Sequence, residues 1–551
     1  MMNRYITLFL FLLLVGVSAL AFIAFNGRVH LFDWDEINFA ESAREMIVTG
    51  DYLTVRIDYQ PFWEKPPLFI VLQAASMQIF GINEMAARLP NTLAGILTLV
   101  VLFLAGRKFF NTRFGLAWCI AYVVSFLPFL YFKSGLIDPW FNLFIFSGIL
   151  CYILFEQSGR HYRWLLLSAF LTGLAVLTKG PVALLVTMLT AALVFLLRRF
   201  RDFIPMKALV AWLAVFAFTG GIWFLLMAIS GRAGTIADFF VYQLRLFRTE
   251  DAGHGGFPLF HAAVLLLGVF PASVMALPSF FRNRAGGDGQ RSFRRWMLVL
   301  FWVVLVLFSI VKTKIVHYSS LCYFPLTFLA AMEAMWLIEN NKKLSKGLLF
   351  LVASVMGFWI LFAVLSPLFL GPFKPVLMKV LAGTDRASFA MIGADVAWPW
   401  YTMAPGIILS GTLVTLFLFR GNTSRQLAVL AAGSFLFINA SVWVFTPRAE
   451  QYSQQANIEF FKGLEGKDVY TRTLGIKSYA NYFYFKKPPP QHPVEYSKNW
   501  QLFGPVDKPV YCSFSLNRKE DYLQSYYNLE LLYEKNGYVF CVRKPPTYQQ
   551  P

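Results

Sequence analysis

"PPLFIVLQAASMQIFG", residues 66–81, decides the topology of this 551-residue chain. The stretch is apolar, but at about sixteen residues, with Gln73 and Gln78 inside it, it falls short of the roughly 20 residues that a helix needs to cross the hydrocarbon core. Counted as a span, it would place every later basic loop outside the cell. Read as an interfacial or re-entrant segment, it leaves those loops inside, as the positive-inside rule requires. The second reading is adopted.

The rest of the chain supports a membrane protein. It is 57% hydrophobic, 18% aromatic and only 14% charged, far more apolar than a soluble domain. Apolar runs near 5–25, 86–106, 114–131, 139–155, 164–177, 182–197, 208–229, 257–281, 296–311, 319–338, 348–370, 401–419 and 427–445 predict about thirteen transmembrane helices, since lipid leaves backbone groups no other partner. The first run has no small-residue cleavage site and is read as a retained span rather than a signal peptide. With the N-terminus inside, alternate loops carry Arg107, Lys108 and Arg113; Arg160 and Arg163; Arg198, Arg199, Arg201 and Lys207; Arg282, Arg284, Arg291, Arg294 and Arg295; Lys342, Lys343 and Lys346; and Arg420 and Arg425. Much of the net charge of +19 therefore serves topology, and nucleic acid is not implied as a partner.

The outer segments are longer than the inner loops: 26–85, 230–256, 371–400 and a polar tail from Thr446. Long loops tend to carry function, so the chemistry is expected outside. No Gly-rich phosphate loop or sizeable inner segment supports a nucleotide substrate. The expected organisation is a membrane unit over 1–446, with amphipathic helices in the first outer loop (26–85), and a small α/β domain over 447–551. In that domain "DVYTRTLG" and "KPVYCSFSL" read as strands, "SYANYFYF" and "RKEDYLQSYYN" as helices, and "LELLYEKNGYVFCVRK" as a hairpin turning at Asn536-Gly537. Cys512 and Cys541 are placed to pair if their strands are neighbours; Cys119, Cys151 and Cys322 read as buried fillers.

Charge gathers on the outer side. After the first span comes "LFDWDEINFAESAREMIVTGDY" (31–52), in which Ile37, Ala40, Ala43 and Ile47 fall on one helical face and Gly50 marks the stop. This predicts an amphipathic helix on the outer surface, with Glu41 pairing Arg44. Asp35 is either its N-cap or a functional acid, and Glu36, Glu41 and Glu45 are read as a solvated face unless chemistry recruits them. "YQPFWEKPPLF" follows, where Pro66 and Pro67 stiffen the backbone behind Glu64 and Lys65. Further on come Lys133 and Asp138, then Lys179 in "LTKGP", then Lys312, Lys314, His317 and Tyr318, and a loop with Arg245, Arg248, Glu250, Asp251 and His254. Snorkelling accounts for any one of these cations. A phosphate held beside an acid that takes or positions a proton accounts for the set.

The order "WDE…AREM…GDY…EKPP…ARLP", an outer-loop Asp, "LTKGP" and "K-T-K…HY" resembles the integral-membrane GT-C glycosyltransferases of the ArnT and protein mannosyltransferase group. The motifs cover roughly residues 1–340, and the architecture covers the whole chain. The resemblance implies an inverting transferase that moves a sugar from a polyprenyl phosphate, such as undecaprenyl phosphate, to lipid A or another cell-envelope acceptor on the periplasmic side of the bacterial inner membrane; a protein hydroxyl is the alternative acceptor, and a lipid flippase or transporter a more distant one. It marks Asp35, Glu36 and Asp138 as catalytic, and Lys65, Lys312, Lys314, His317, Arg245 and Arg248 as holding the donor phosphate. Asn38, Phe39, Phe62, Glu64, His254 and Tyr318 are marked as sugar or acceptor contacts. The aminoarabinose enzymes carry "DEARY" and "YFEKPP" where this chain has "DEINF" and "FWEKPP", so the resemblance fixes neither sugar nor acceptor. It allows a divalent cation, for which the sequence offers no clear ligand set.

Overall fold

The computed structural model describes residues 4–200, 204–248, 256–526 and 528–545, without the side chains of Leu244, Leu246, Phe247 and Arg248. Arg201, Glu250, Asp251 and His254 lie outside that range. The chain opens with α1 (Arg4–Ile23), followed in the first outer loop by α2 (Asp35–Thr49), the short ribbon β1 (Arg56–Ile57) and β2 (Gln60–Pro61), and α3 (Leu68–Phe80). Then come α4 (Glu84–Phe109), α5 (Thr112–Val123), α6 (Phe126–Tyr131), α7 (Asp138–Gln157), α8 (Tyr162–Lys179), α9 (Val182–Leu197) and α10 (Met206–Ile229). After them follow α11 (Ala233–Arg248), α12 (Phe260–Gly268), α13 (Ala272–Phe281), α14 (Asp288–Ile310), a 3₁₀ turn at Val316–Cys322 and α15 (Tyr323–Glu339). The last part of the bundle is α16 (Lys346–Leu370), α17 (Lys374–Val380), α18 (Arg386–Ile392), α19 (Ala404–Leu418) and α20 (Thr423–Ser453).

Each of the thirteen expected segments is helical, though not each is one helix. Among the described residues nine helices are long and apolar enough to cross a membrane, or ten if the pair α12 and α13, bent by 114° just before and after Pro271, makes one span. The 114–131 run is likewise broken, between α5 and α6. The deciding segment 66–81 forms α3, thirteen residues long, which spans only about 20 Å, too short to cross.

Helix ends follow the local chemistry. Asn83 and Asn111 cap α4 and α5, accepting from the amides of Ala86 and Phe114 at 2.9 Å. Gly50, at φ +68°, stops α2 where the sequence predicts. Two lysines satisfy carbonyls that a helix end leaves without partners: Lys133 Nζ donates to Ala21 O (2.7 Å) and Phe22 O (3.1 Å) of α1, and Lys314 Nζ donates to Phe308 O, Ser309 O and Val311 O (3.2, 2.6 and 2.6 Å) at the end of α14.

Helix α20 runs through Thr446, so the expected boundary at 446/447 falls within a continuous helix. Beyond it lie α21 (Gln455–Lys462), β3 (Tyr470–Leu474), α22 (Ala480–Phe483), α23 (Lys498–Phe503), β4 (Val510–Ser515), α24 (Lys519–Ser525), β5 (Glu530–Lys535) and β6 (Tyr538–Arg543). The sheet order is β3-β4-β6-β5, with β3 and β4 parallel and the other pairs antiparallel. Asn536 and Gly537, at φ +49° and +81°, make the tight hairpin turn. Cys512 and Cys541 are direct partners across β4 and β6, and both are free thiols.

The loop of residues 26–85 departs from its expectation. Helix α2 does not lie on the surface. Eleven of its fifteen residues are buried, because α3 covers one side and the C-terminal domain the other. Leu31 N donates to the Tyr484 hydroxyl (2.7 Å), Asp33 N to Gln454 Oε1 (2.8 Å), Gln454 Nε2 to Leu31 O (2.9 Å) and Arg44 Nη2 to Lys487 O (3.0 Å). Consequently Glu36, Glu41 and Glu45 are buried, not solvated. The Glu41–Arg44 pair does form, at 2.7 Å, inside the protein. Burial, reinforced by the neighbouring Glu41, pushes Glu45 up to about 10, so it is neutral at pH 7.

Asp33 gives this docking a pH dependence. Its carboxylate accepts from the Ser478 hydroxyl and from Tyr479 N at 3.2 Å, yet burial outweighs both hydrogen bonds and pushes it up to about 6. A carboxyl raised from its ordinary value near 4 favours the folded state most in its protonated form, and that contribution disappears as pH rises through about 6. Thermal unfolding of wild type is therefore expected to show a stability component that falls between about pH 4 and 6 and is missing in Asp33→Asn, whereas equal slopes for the two proteins would exclude Asp33 as its source.

Candidate active site

The ends of α1, α2, α8 and α20, the loops before α3 and α7, one residue of α11 and the 3₁₀ turn enclose a cavity of about 550 Å³. Asp35, Glu36, Phe39, Glu64, Lys65, Lys179, Tyr242, His317 and Tyr318 are among its lining residues. A smaller cavity of about 70 Å³ shares Lys65, Lys179 and Tyr318, and continues along Phe141, Val182, Val186, Phe308, Val311 and Leu321.

Asp35 is the first residue of α2, but no side chain caps that helix. Its carboxylate is thus not spent on the backbone. It is 30% exposed and lies 3.7 Å from His317 Nε2. The same imidazole nitrogen lies 3.9 Å from Asp138 Oδ2. Asp138 is buried and lines the smaller cavity, where Lys179 Nζ binds its other oxygen at 2.6 Å. Lys179 also sits 5.3 Å from the Tyr318 ring centre and 5.6 Å from that of Phe141. Lys65 lies 5.8 Å from the ring centre of Tyr242, on whose ring Arg245 also packs at 5.1 Å. Sequence segments far apart thus bring an acid, an imidazole and two ammonium groups around one space.

Several expected site residues are placed elsewhere, and two are spent on structure. Glu36 reaches the cavity wall but is buried and fully engaged. Arg88 Nη2 and Nε donate to its two oxygens (2.7 and 3.1 Å), as do the amides of Phe32 (2.8 Å) and Gly135. Burial raises its carboxyl, but Arg88 and these donors outweigh that and hold it below the usual range, so it braces the loop as an anion instead of exchanging protons. Lys314 is buried on the carbonyls of α14, and Lys312 is exposed outside the cavity. Neither is placed to bind a phosphate there. Asn38 is buried inside α2, and neither it nor Phe62 lines the cavity. Arg245 is exposed, does not line the cavity and packs on the Tyr242 ring that does. The Arg248 side chain and His254 lie outside the described residues.

Residues not singled out from sequence complete the wall, among them Arg28, Arg88, Tyr131, Tyr242 and Trp443. Of these Arg88 had a signal, as an arginine inside the apolar run of α4. Among the described residues no group of three or more His, Cys, Asp or Glu is placed to hold a metal ion.

The described residues thus form a bundle of long apolar helices, a small four-stranded sheet domain packed on the first loop, and an acid-and-cation cavity lined by that loop and the bundle. A family described as dolichyl-phosphate-mannose-protein mannosyltransferase matches residues 64–223. Fold similarity extends further: ArnT from Cupriavidus metallidurans, in a crystal structure bound to undecaprenyl phosphate, superposes with a TM-score of 0.75 over 98% of this chain and 99% of that one, at 17% identity. Sequence similarity points the same way. The undecaprenyl phosphate-α-4-amino-4-deoxy-L-arabinose arabinosyl transferase of Edwardsiella ictaluri is 28% identical over 355 residues, 62% of each chain, and that of Photorhabdus laumondii 25% over 321 residues, 58% of each. The match thus spans about three fifths of these relatives. The resemblance to the ArnT and protein mannosyltransferase group holds, and the chain is a multi-pass membrane protein with the ArnT fold.

Proposed function

We propose that this chain transfers a sugar from undecaprenyl phosphate, or a similar polyprenyl phosphate, to lipid A or another cell-envelope acceptor at the periplasmic face of the inner membrane. The helical bundle through the end of α20 at Ser453 is the membrane catalytic unit, and the residues beyond it form the periplasmic domain that packs on the first loop. The observation that carries the reading is the convergence of Asp35, His317, Lys65 and Lys179 on one cavity, joined to an apolar recess lined by Val182, Val186, Phe308, Val311 and Leu321. The names of the relatives and the ligand of the Cupriavidus structure support the same donor.

Each group has a part. The acceptor oxygen attacks the anomeric carbon while the bond from that carbon to the phosphate oxygen breaks, leaving its electron pair on the phosphate. A single displacement of this kind inverts the anomeric centre. The departing polyprenyl phosphate gains negative charge, and preorganised ammonium groups lower the barrier by meeting that charge as it grows. Lys65 and Lys179 are those groups. Asp138 holds Lys179 in place, and the apolar recess receives the first isoprene units. Asp35 takes or orients the acceptor proton, with His317 fixing its carboxylate.

The test is transfer by the purified full chain in proteoliposomes, supplied with labelled undecaprenyl-phosphate aminoarabinose, or other undecaprenyl-phosphate sugars, and lipid A. Label reaching lipid A with release of undecaprenyl phosphate supports the reading. No transfer from any such donor, to lipid A or to a peptide acceptor, overturns it.

A further inference from the structure

The cavity has a second charged wall that the donor chemistry does not use. Arg28, just beyond α1, and Val442, Trp443, Phe445, Thr446, Pro447 and Ala449 of α20 line the large cavity, and none of them lines the smaller recess next to Lys65 and Lys179. The other cations of the large cavity have defined partners: Arg88 holds Glu36, Lys133 holds the carbonyls of α1, Lys179 holds Asp138, and Lys65 rests near Tyr242. Arg28 is exposed and makes no ion pair among the described residues. Its guanidinium lies 5.8 Å from the ring centre of Trp443 and 6.0 Å from that of Phe25.

Around it the surface is aromatic. Phe25 is 50% exposed, Trp443 38%, Tyr401 41% and Trp400 79%, and Tyr401 packs on Trp443 at 5.9 Å. Aromatic rings at helix ends mark the level of the lipid headgroups. They set the Arg28 and Trp443 wall of the cavity near that level. An arginine here gains nothing from the topology rule, which places its excess of positive charge on the inner side. Its planar fork suits a phosphate or carboxylate, and the indole beside it shields that contact from water.

We propose that Arg28, backed by Trp443, seats the anionic headgroup of a membrane-borne acceptor that comes in between α1 and α20. The word acceptor rests on the transferase reading; the anion seat does not. The donor phosphate then occupies the Lys65 and Lys179 side, so the two negative groups are held by separate cations and the acceptor approaches Asp35 from its own wall.

Binding to the full chain in nanodiscs, without turnover, tests this. Bisphosphorylated lipid A, its dephosphorylated form and undecaprenyl phosphate are the probes, read by native mass spectrometry on wild type, Arg28→Glu and Arg28→Lys. Arg28→Glu is expected to weaken bisphosphorylated lipid A about tenfold or more, to leave undecaprenyl phosphate unchanged and to bind the dephosphorylated form as wild type does. Arg28→Lys is expected to keep most of the affinity. Unchanged binding of bisphosphorylated lipid A in Arg28→Glu overturns the proposal, as does an equal loss of both phosphorylated ligands. Charge-dependent lipid A binding without any undecaprenyl phosphate binding would leave the Arg28 seat standing and remove the donor assignment.

Discussion

Asp35→Ala is expected to lower sugar transfer by about 10²–10⁴-fold, the usual contribution of a positioned acid or base, while leaving the protein folded. The structural reason is that this carboxylate serves nothing else. It begins α2 without capping it, and the His317 imidazole lies 3.7 Å away. What Ala removes from stability is a favourable charge at a helix start, worth about 0.3–1 kcal/mol. Steady-state transfer alongside thermal unfolding separates the two effects. Residual activity within tenfold of wild type would remove Asp35 from the chemistry.

The second large effect has the opposite signature. Arg88→Ala is expected to destabilise the protein by about 3–5 kcal/mol, because removing one partner of a buried ion pair strands the other. Arg88 Nη1 also donates to Asn26 O and Val29 O (2.6 and 2.8 Å), and Nη2 to His30 O (2.9 Å), so the whole turn from α1 into α2 loses its anchor. Lower yield of folded protein and a lower unfolding temperature in detergent are the readouts. Glu36→Gln extends the test: as a brace, Glu36 should lose stability when neutralised and keep turnover per folded molecule within about tenfold, whereas a catalytic acid would keep its fold and lose turnover by 10²-fold or more.

These two neighbours show what the sequence can and cannot reveal. Asp35 and Glu36 are adjacent acids, and the resemblance marks both as catalytic. The difference lies in Arg88, fifty-two residues on, which takes up one carboxylate and not the other. Lys65 and Lys314 diverge in the same way. Both are lysines expected on the outer side, but Lys314 folds back onto the carbonyls of its own helix end, a partner that every helix end offers and no motif announces. Helices and the Asn536-Gly537 hairpin were legible because apolar length and turn chemistry are local properties. The burial of α2 was not, because its apolar face at Ile37, Ala40, Ala43 and Ile47 reads the same whether lipid surface or protein covers it, and the cover on the other side is a domain more than 400 residues away. Arg28 and Trp443 gained meaning only when α1 and α20 came together.

The central claim is that one cavity holds the donor phosphate on Lys65 and Lys179, with Asp35 facing the reacting carbon. A structure of the full chain with undecaprenyl phosphate tests this most directly. The account predicts phosphate oxygens within about 4 Å of both ammonium groups, the limit of an ion pair, with the first isoprene units in the recess lined by Val182, Val186, Phe308, Val311 and Leu321. A phosphate seated away from both lysines, in a space that Asp35 does not share, would contradict it.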